Sequence, residues 1–286
     1  MFKNNLIFDV GMHKGEDTHY YLLKGFDVVA FEADPNLVQF SKRRFKKEID
    51  QKRLIIIEGA IVPENFTKKV KFYKNKKNSV WGTVVKDWAN RNEADGAYSI
   101  SIDINPVNFK ESLNKFGVPY YLKIDIEGMD LVCCEALLSF NDKPSYISIE
   151  SEKVNFESLK KEFNLLDELG YDSYKIIQQG SISKQKEKKP SLEKKFLGYK
   201  FLEGSSGLFG NDLPGEWINK EKALKIYEKI FIFYKIFGDK SFLRRSLLTK
   251  YFLKAFCKLT KIPLPGWHDT HARHNAANPL KTSNWL

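Results

Sequence analysis

The residues best suited to chemistry fall in five short runs. The first is Asp9-Val10-Gly11-Met12-His13-Lys14-Gly15, an acid followed by a turn framed by two glycines. Gly11 and Gly15 let the backbone turn tightly and approach a ligand closely. The spacing is not G-x-G-x-x-G, because Asp9 stands where the first glycine would be, and a carboxylate there repels a pyrophosphate. It suits a ligand with a cationic group, such as an amino-acid ammonium. The second run, Phe31-Glu32-Ala33-Asp34-Pro35, ends an apolar stretch with an acid that can accept both hydroxyls of a ribose. In this order on consecutive strands, the two acids point to S-adenosylmethionine. Asp9 and the Gly11–Gly15 turn then hold the methionine end, and Glu32 the ribose. Ordinary turn glycines and a helix-start acid are the plainer account, weaker because both motifs occur together.

The third run is Glu58-Gly59-Ala60. Small residues at Gly59 and Ala60 leave room for a flat adenine, although a tight turn explains them equally well. The fourth, Leu122 to Asp130, carries Asp125, Glu127 and Asp130 at a strand-to-helix junction. Asp125 or Glu127 is suited to accept a proton from a substrate, or to help hold a divalent metal. Helix capping is the other account of Glu127 and Asp130. The fifth, Trp267-His268-Asp269-Thr270-His271-Ala272-Arg273-His274, holds three of the chain's five histidines. Neither a helix nor a strand presents all three to one ion. A substrate-facing segment, with His271 or Asp269 as base or orienter, is the functional expectation; a packed terminus weighs equally.

These runs need strands to place them. Apolar segments at 6–11, 27–34, 53–61, 120–128 and 146–150 read as strands, with looser candidates at 70–75, 98–104 and 173–178. Helices are expected at 15–24, 36–48, 108–116, 129–140 and 156–169. The alternation predicts an α/β fold, a mostly parallel sheet with helices on both faces, and a site at the carboxyl ends of its strands. Residues 197–218 are expected to form a last strand running into a loop. Residues 220–237 and 242–260 read as two helices, so a domain over 1–218 and a helical C-terminal extension over 219–286 are expected.

DVGMHKGEDT, VVAFEADP and YYLKIDIEGMD together resemble the FkbM family of S-adenosylmethionine-dependent methyltransferases, and SVWGTVVKDWANRN (79–92) is similar to members of it. The resemblance spans roughly 5–180. It implies a Rossmann-like class I methyltransferase fold and O-methylation, often of a sugar or natural product. It implies cofactor contacts at Asp9, Gly11, Gly15 and Glu32, with His13 and Lys14 also matching, and a site acid at Asp125. It does not fix the substrate.

Composition narrows the partners. The 286 residues carry a net charge of +11, with 42% hydrophobic residues and three cysteines. That excludes wholesale disorder and a disulfide framework. No apolar run reaches the length of a membrane span, and the N-terminus lacks a signal-peptide core, so a cytoplasmic location is expected. Twelve Lys and Arg against three acids fall in 219–261, and six Lys against two Glu in 180–195. Arg244, Arg245, Lys250, Lys254 and Lys258 alternate with apolar residues, a pattern that permits contact with an anionic membrane face but fits a packed lid or a second subunit better. An RNA methyltransferase is the rival that the charge raises. The fourth run lacks the Asn/Asp-Pro-Pro-aromatic motif of base amino methylation, and Cys133 and Cys134 lie mid-helix as core residues. A non-catalytic glycan- or membrane-associated binding protein is opposed by the complete set Asp9, Gly11, Gly15, Glu32 and Asp125. Usage rich in Lys, Asn, Ile and Phe suggests a bacterial source, and with the resemblance it points to a capsule or O-antigen precursor, either a nucleotide-sugar or a polymer, as substrate.

Overall fold

In the computed structural model, the described residues are 1–66, 68–75, 77, 82–94, 98–126, 128–152, 155–202, 204–238 and 266–277. Glu127, Cys257 and the helix expected at 242–260 lie outside them.

The chain runs β1 (Phe2–Val10), α1 (Glu16–Lys24), β2 (Asp27–Glu32), α2 (Pro35–Arg44), α3 (Lys46–Asp50), β3 (Leu54–Glu58), β4 (Ala60–Ile61), β5 (Val70–Asn75), α4 (Lys86–Ala94), β6 (Ser99–Ile104) and β7 (Pro106–Val107). It continues α5 (Phe109–Phe116), β8 (Val118–Ile124), α6 (Asp130–Leu137), β9 (Tyr146–Glu150), α7 (Phe156–Glu168), β10 (Tyr171–Gln178), α8 (Lys220–Phe237) and β11 (His268–His274). Local signals set the helix starts. Asp34 accepts from the Asn36 N–H with Pro35 in the first turn of α2, and Asn108 and Asn155 cap α5 and α7. Gly25, in the left-handed region, ends α1.

Seven strands form the central sheet in the order β10-β11-β9-β8-β1-β2-β3. β1, β2, β3, β8 and β9 pair in parallel, and β11 is antiparallel to both its neighbours. Period-two alternation sends the strand residues to two covered faces. Phe8, Val10, Leu122, Ile124, Ile147 and Ile149 pack with Phe109, Cys133, Cys134, Phe163 and Tyr227 of the helices beyond. Ile7, Tyr121 and Tyr146 pack with Tyr20 and Tyr21 of α1 and with Phe201, Phe209 and Leu213. This is the Rossmann-like class I methyltransferase architecture that the resemblance implies.

Two expectations are corrected. The described residues of 197–218 do not supply the last strand; they cross one sheet face without regular structure, apart from a short 3-10 turn at Gly210–Asp212 and a bridge from Ile218 to Tyr174. The last strand is β11, from the histidine-rich tail. It inserts between β9 and β10, so a boundary at 218 does not separate the sheet from the C-terminal part of the chain. The helix expected at 36–48 is also broken, at Phe45, whose ring packs in the core.

The crossing segment is held by buried charge. Lys24 at the end of α1 donates to Ser191 Oγ at 2.5 Å and to Asp212 Oδ2 at 2.9 Å, and it pairs with Glu187 Oε1 at 2.9 Å. Nearby, Glu193 is fully buried and accepts from Tyr120 Oη at 2.8 Å and the Asn211 N–H at 2.7 Å. Replacing Lys24 by Met strands two carboxylates without their cation and is expected to cost about 3–5 kcal/mol, read as a lower urea midpoint. Burial pushes the Glu193 carboxyl up to about 8, against its hydrogen bonds. A raised folded-state value means that stability is full at acid pH and declines as pH rises towards that value. The stability of the wild type relative to Glu193→Gln should therefore fall between about pH 5 and pH 8; a pH-independent difference in urea melts would contradict this.

Candidate active site

The carboxyl ends of β1, β2, β3 and β8 open onto one cleft, about 850 Å³ counting its mouth. Its floor forms where β1 and β8 converge. Gly11 has φ +84°, and a Cβ there would stand 1.9 Å from the Asp125 carbonyl oxygen, so only glycine allows this approach. The Asp125 N–H donates to the Val10 carbonyl at 3.0 Å, locking the two strand ends together.

Glu32 ends β2 inside the cleft. Its two oxygens accept the backbone N–H groups of His13 and Asp34, each at 2.8 Å. His13 holds a left-handed φ of 52°, unusual for a side-chain-bearing residue, and this hydrogen bond accompanies it. Each Glu32 oxygen keeps lone-pair capacity for a further donor. Burial pushes its carboxyl up to about 7 in spite of these hydrogen bonds. Gly59 and Ala60 line the far end, with Phe31, Leu37 and Ile61. Gly59, at φ +141°, passes so close to Asn105 that a Cβ would meet its carbonyl oxygen at 2.6 Å.

Of the residues expected from sequence, Gly11, His13, Glu32, Gly59, Ala60 and Asp125 all line this cleft. Asp9 and Gly15 do not. Asp9 is fully buried behind it. It accepts from Thr18 Oγ1 at 2.5 Å and lies 3.4 Å from Lys123 Nζ. Lys123 thus faces its charge inside the protein, while Oδ1 keeps no hydrogen-bond partner among the described residues. Gly15 starts α1 and lies against Phe45, whose ring a Cβ would meet at 2.4 Å.

Asp125 sits at the inner end, its side chain 37% exposed. Behind it Lys123 is buried; Nζ donates to the Gly11 carbonyl at 2.7 Å and lies 3.8 Å from Asp125 Oδ2. Burial opposes the charge on Lys123, but Asp9, Asp125 and Asp17 together raise its pKa and keep it protonated. Asp269 is buried nearby at the start of β11. It accepts from Gln179 Nε2 at 2.9 Å, and the same amide reaches Glu150 Oε1 at 3.1 Å. Burial, with Asp125 adding repulsion, pushes Asp269 up to about 7 against the Gln179 hydrogen bond.

His271 is placed elsewhere. It is 1% exposed in the middle of β11, in register with Ser148 and Lys175. Burial and Lys175 depress its pKa to about 3. A neutral histidine within the sheet has no geometry for the base role expected of it, because β11 is a covered strand and not a substrate-facing segment. Cys133 and Cys134 are buried in α6, and burial pushes both thiols upward, as befits core residues. Among the described residues no three His, Cys, Asp or Glu side chains group to hold a metal.

The structure adds residues that the motifs do not single out. Asp17 lines the cleft and is 4% exposed. Both its oxygens accept the Ser206 N–H at 2.9 Å, tying the crossing segment to the cleft. Burial, opposed in part by Lys123, pushes it up to about 7. In sequence it is simply an acid in the first helical turn. Phe72, Thr83 and Val84 close the outer wall, with Phe72 stacked so near Gly82 that a Cβ would stand 2.5 Å from the ring. In sequence, Thr83 and Val84 fall in the 79–92 stretch and Phe72 in the strand candidate at 70–75. The donor set fits S-adenosylmethionine: an acid for the ribose, apolar walls beside Gly59 and Ala60, and a close backbone turn leading to Asp17 and Asp125.

No curated protein matches the chain. Among solved structures it is similar to precorrin-6y C5,15-methyltransferase from Geobacter metallireducens GS-15, with 14% identity, TM-score 0.36, and 62% of this chain and 69% of that one covered. It is similar to the methyltransferase FkbM from Methylobacillus flagellatus KT, with 17% identity, TM-score 0.36, and 62% and 40% covered. It is also similar to a SAM dependent methyltransferase from Archaeoglobus fulgidus, with 10% identity, TM-score 0.35, and 94% and 86% covered. The decisive match is to the family model, which takes in the strand ends from Asp9 through β9 and on to Ser173. Because the Methyltransferase FkbM domain matches residues 9–173, more than half of the chain, this protein belongs to the FkbM family of S-adenosylmethionine-dependent methyltransferases.

Proposed function

We propose that the chain is an O-methyltransferase acting on a sugar hydroxyl of a bacterial surface-glycan precursor. The observation that carries the reading is the half-open Asp125 carboxylate at the inner end of the cleft, backed by the buried Lys123 ammonium. A sugar hydroxyl is a weak acid and reacts faster as its proton leaves. When bound, S-adenosylmethionine supplies an electrophilic methyl group on sulfur. The chain's own work is alignment, water exclusion and proton removal. Glu32 and the His13 backbone hold the ribose end, and Gly59 and Ala60 flank the adenine. Asp17 meets the methionine end with the Gly11 turn. Asp125 accepts the acceptor's proton, while Lys123 fixes its position and Asp269 stands behind it as a second acid. The other route left open by the sequence, a divalent ion on Asp125 and neighbouring acids that lowers the hydroxyl pKa, has no group of three ligands among the described residues to support it. Methyl transfer assayed with and without EDTA separates the two, and the base role of Asp125 expects no loss on chelation.

Two measurements test the reading. Isothermal titration with S-adenosylhomocysteine should show binding by wild type that weakens at least about tenfold in Glu32→Ala, the scale of a lost charge-assisted hydrogen-bond pair. Asp125→Asn should keep that binding within about threefold and lose about 10²–10⁴ in kcat, the range of a general base. Unchanged turnover would remove Asp125 from the mechanism.

A further inference from the structure

The chain leaves the central sheet through β4 and returns through β7, which pair in a short parallel ladder, Ala60 with Pro106 and Ile61 with Val107. Between them β5 and β6 form an antiparallel hairpin that belongs to neither the central sheet nor that ladder. The hairpin has a small core of its own, where Val70, Phe72 and Ile104 pack with Ala60 and Val62 at its base. Alternate residues of a strand share a face. On β5 the face of Val70 and Phe72 therefore continues to Lys74. Phe72 forms part of the cleft wall. Lys74 reaches Asp34 in the turn after β2; its Nζ lies 2.9 Å from Oδ1 and 2.8 Å from Oδ2.

That turn is the one that aims Glu32. The Asp34 N–H donates to Glu32 Oε1 at 2.8 Å, and Asp34 Oδ1 accepts the Asn36 N–H at 2.9 Å at the start of α2. The Asp34 side chain is 5% exposed. A carboxylate this deeply buried needs a compensating charge, which a cap N–H alone does not supply. Among the described residues, Lys74 is the cation that pairs with it. A pair that merely fastens the hairpin is the plainer account. The outer face of the same hairpin already carries a pair of that ordinary kind, Lys71 with Asp103 at 2.9 Å, both more than half exposed. The Lys74 pair differs in burial and in place. It holds the turn whose N–H orients the cleft acid, and it lies on the strand face that supplies the cleft wall.

We propose that Lys74 is a positioning residue for the cofactor: acting through Asp34, it fixes the Glu32 carboxylate for the ribose hydroxyls, while Phe72 on the same strand face closes the adenosine end of the cleft. The inference rests on the assignment of Glu32 to the ribose and deepens it, because ribose recognition then depends on a hairpin outside the central sheet. Asp34 repels the neighbouring Glu32 carboxylate. Without the Lys74 charge that repulsion is no longer offset, and a buried carboxylate is left without its cation. The turn relieves this by moving or by taking up a proton, and Glu32 loses its hold on the hydroxyls in either case.

The test is isothermal titration of the full chain with S-adenosylhomocysteine and with its 2′-deoxy analogue. Wild type should bind the deoxy analogue at least about tenfold more weakly, the scale of a charge-assisted hydrogen bond. Lys74→Met should weaken S-adenosylhomocysteine binding at least about tenfold and shrink that hydroxyl penalty to about threefold or less. Asp34→Asn keeps a helix-capping side chain and removes the charge; in that background, adding Lys74→Met should change binding by less than about twofold. Lys71→Met, which breaks only the outer pair, should bind as wild type does. Urea melts check that each variant folds, and Lys74→Gln, which keeps a neutral donor for Asp34, replaces Lys74→Met if that variant does not. Wild-type affinity in the Lys74 variant overturns the proposal. So does a loss that leaves the hydroxyl penalty at its wild-type size, the mark of a hairpin undocked as a whole, or a loss that persists in full in the Asp34→Asn background. If wild type itself shows no hydroxyl penalty, the assignment of Glu32 to the ribose falls, and this inference with it.

Discussion

The structure depends on a buried cation. Lys123 lies within the sheet, beneath the cofactor cleft, and only carbonyl and carboxylate oxygens make its burial tolerable. Gly11 offers its carbonyl, Asp9 its charge, and Asp125 a longer contact. These partners belong to the two strand ends that form the floor of the cleft. The ammonium thus neutralises the acid of the first motif, steadies the glycine turn and orients the acid of the fourth. The close passage of Gly11 over the Asp125 carbonyl is the steric counterpart of the same constraint. Asp9 therefore lies behind the cleft, paired with Lys123, and Asp17, in the first turn of α1, takes the position that lines the cleft.

A second constraint links the C-terminal part of the chain to the chemistry. Thr270 of β11 meets Ser151 Oγ at 2.5 Å and Tyr227 Oη of α8 at 2.6 Å, and Ser151 in turn donates to Glu162 of α7. This chain of hydroxyls ties β11, the end of β9, α7 and α8 into one buried unit. Burying such groups is costly unless each finds a partner, and here they satisfy one another. The consequence is positional. The start of β11 delivers Trp267 and Asp269 to the carboxyl ends of the parallel strands, Asp269 beside Asp125. The crossing segment does the same on the opposite face, where Lys24 anchors it and Ser206 reaches Asp17.

Much of this was legible in the sequence. Apolar runs ending in glycine or acid are local features, and β1, β2, β8 and β9 form along them with the helices between. Glu32, Asp125, Gly59 and Ala60 could be placed at strand ends because a parallel sheet presents its carboxyl ends together. The misplacements share one cause. β11 is His-Asp-Thr-His-Ala-Arg-His, which carries no apolar alternation, yet Asp269, Thr270 and His271 are buried. The segment 197–218 is aromatic and glycine-rich, which resembles a strand, but its apolar side chains cover the sheet face instead of extending its edge.

The sequence by itself determined the local order of strand, turn and helix, the acids at the strand ends, and the family to which they belong. Those signals lie within a few residues of one another, where chain geometry alone makes them meaningful. Only the tertiary structure decided which acids face the cleft, which lie behind it, and which polar segment becomes the seventh strand. A buried carboxylate or hydroxyl is tolerated only with a partner, and here the partners lie far away in the chain: Lys123 for Asp9, Ser206 for Asp17, and Ser151 and Tyr227 for Thr270.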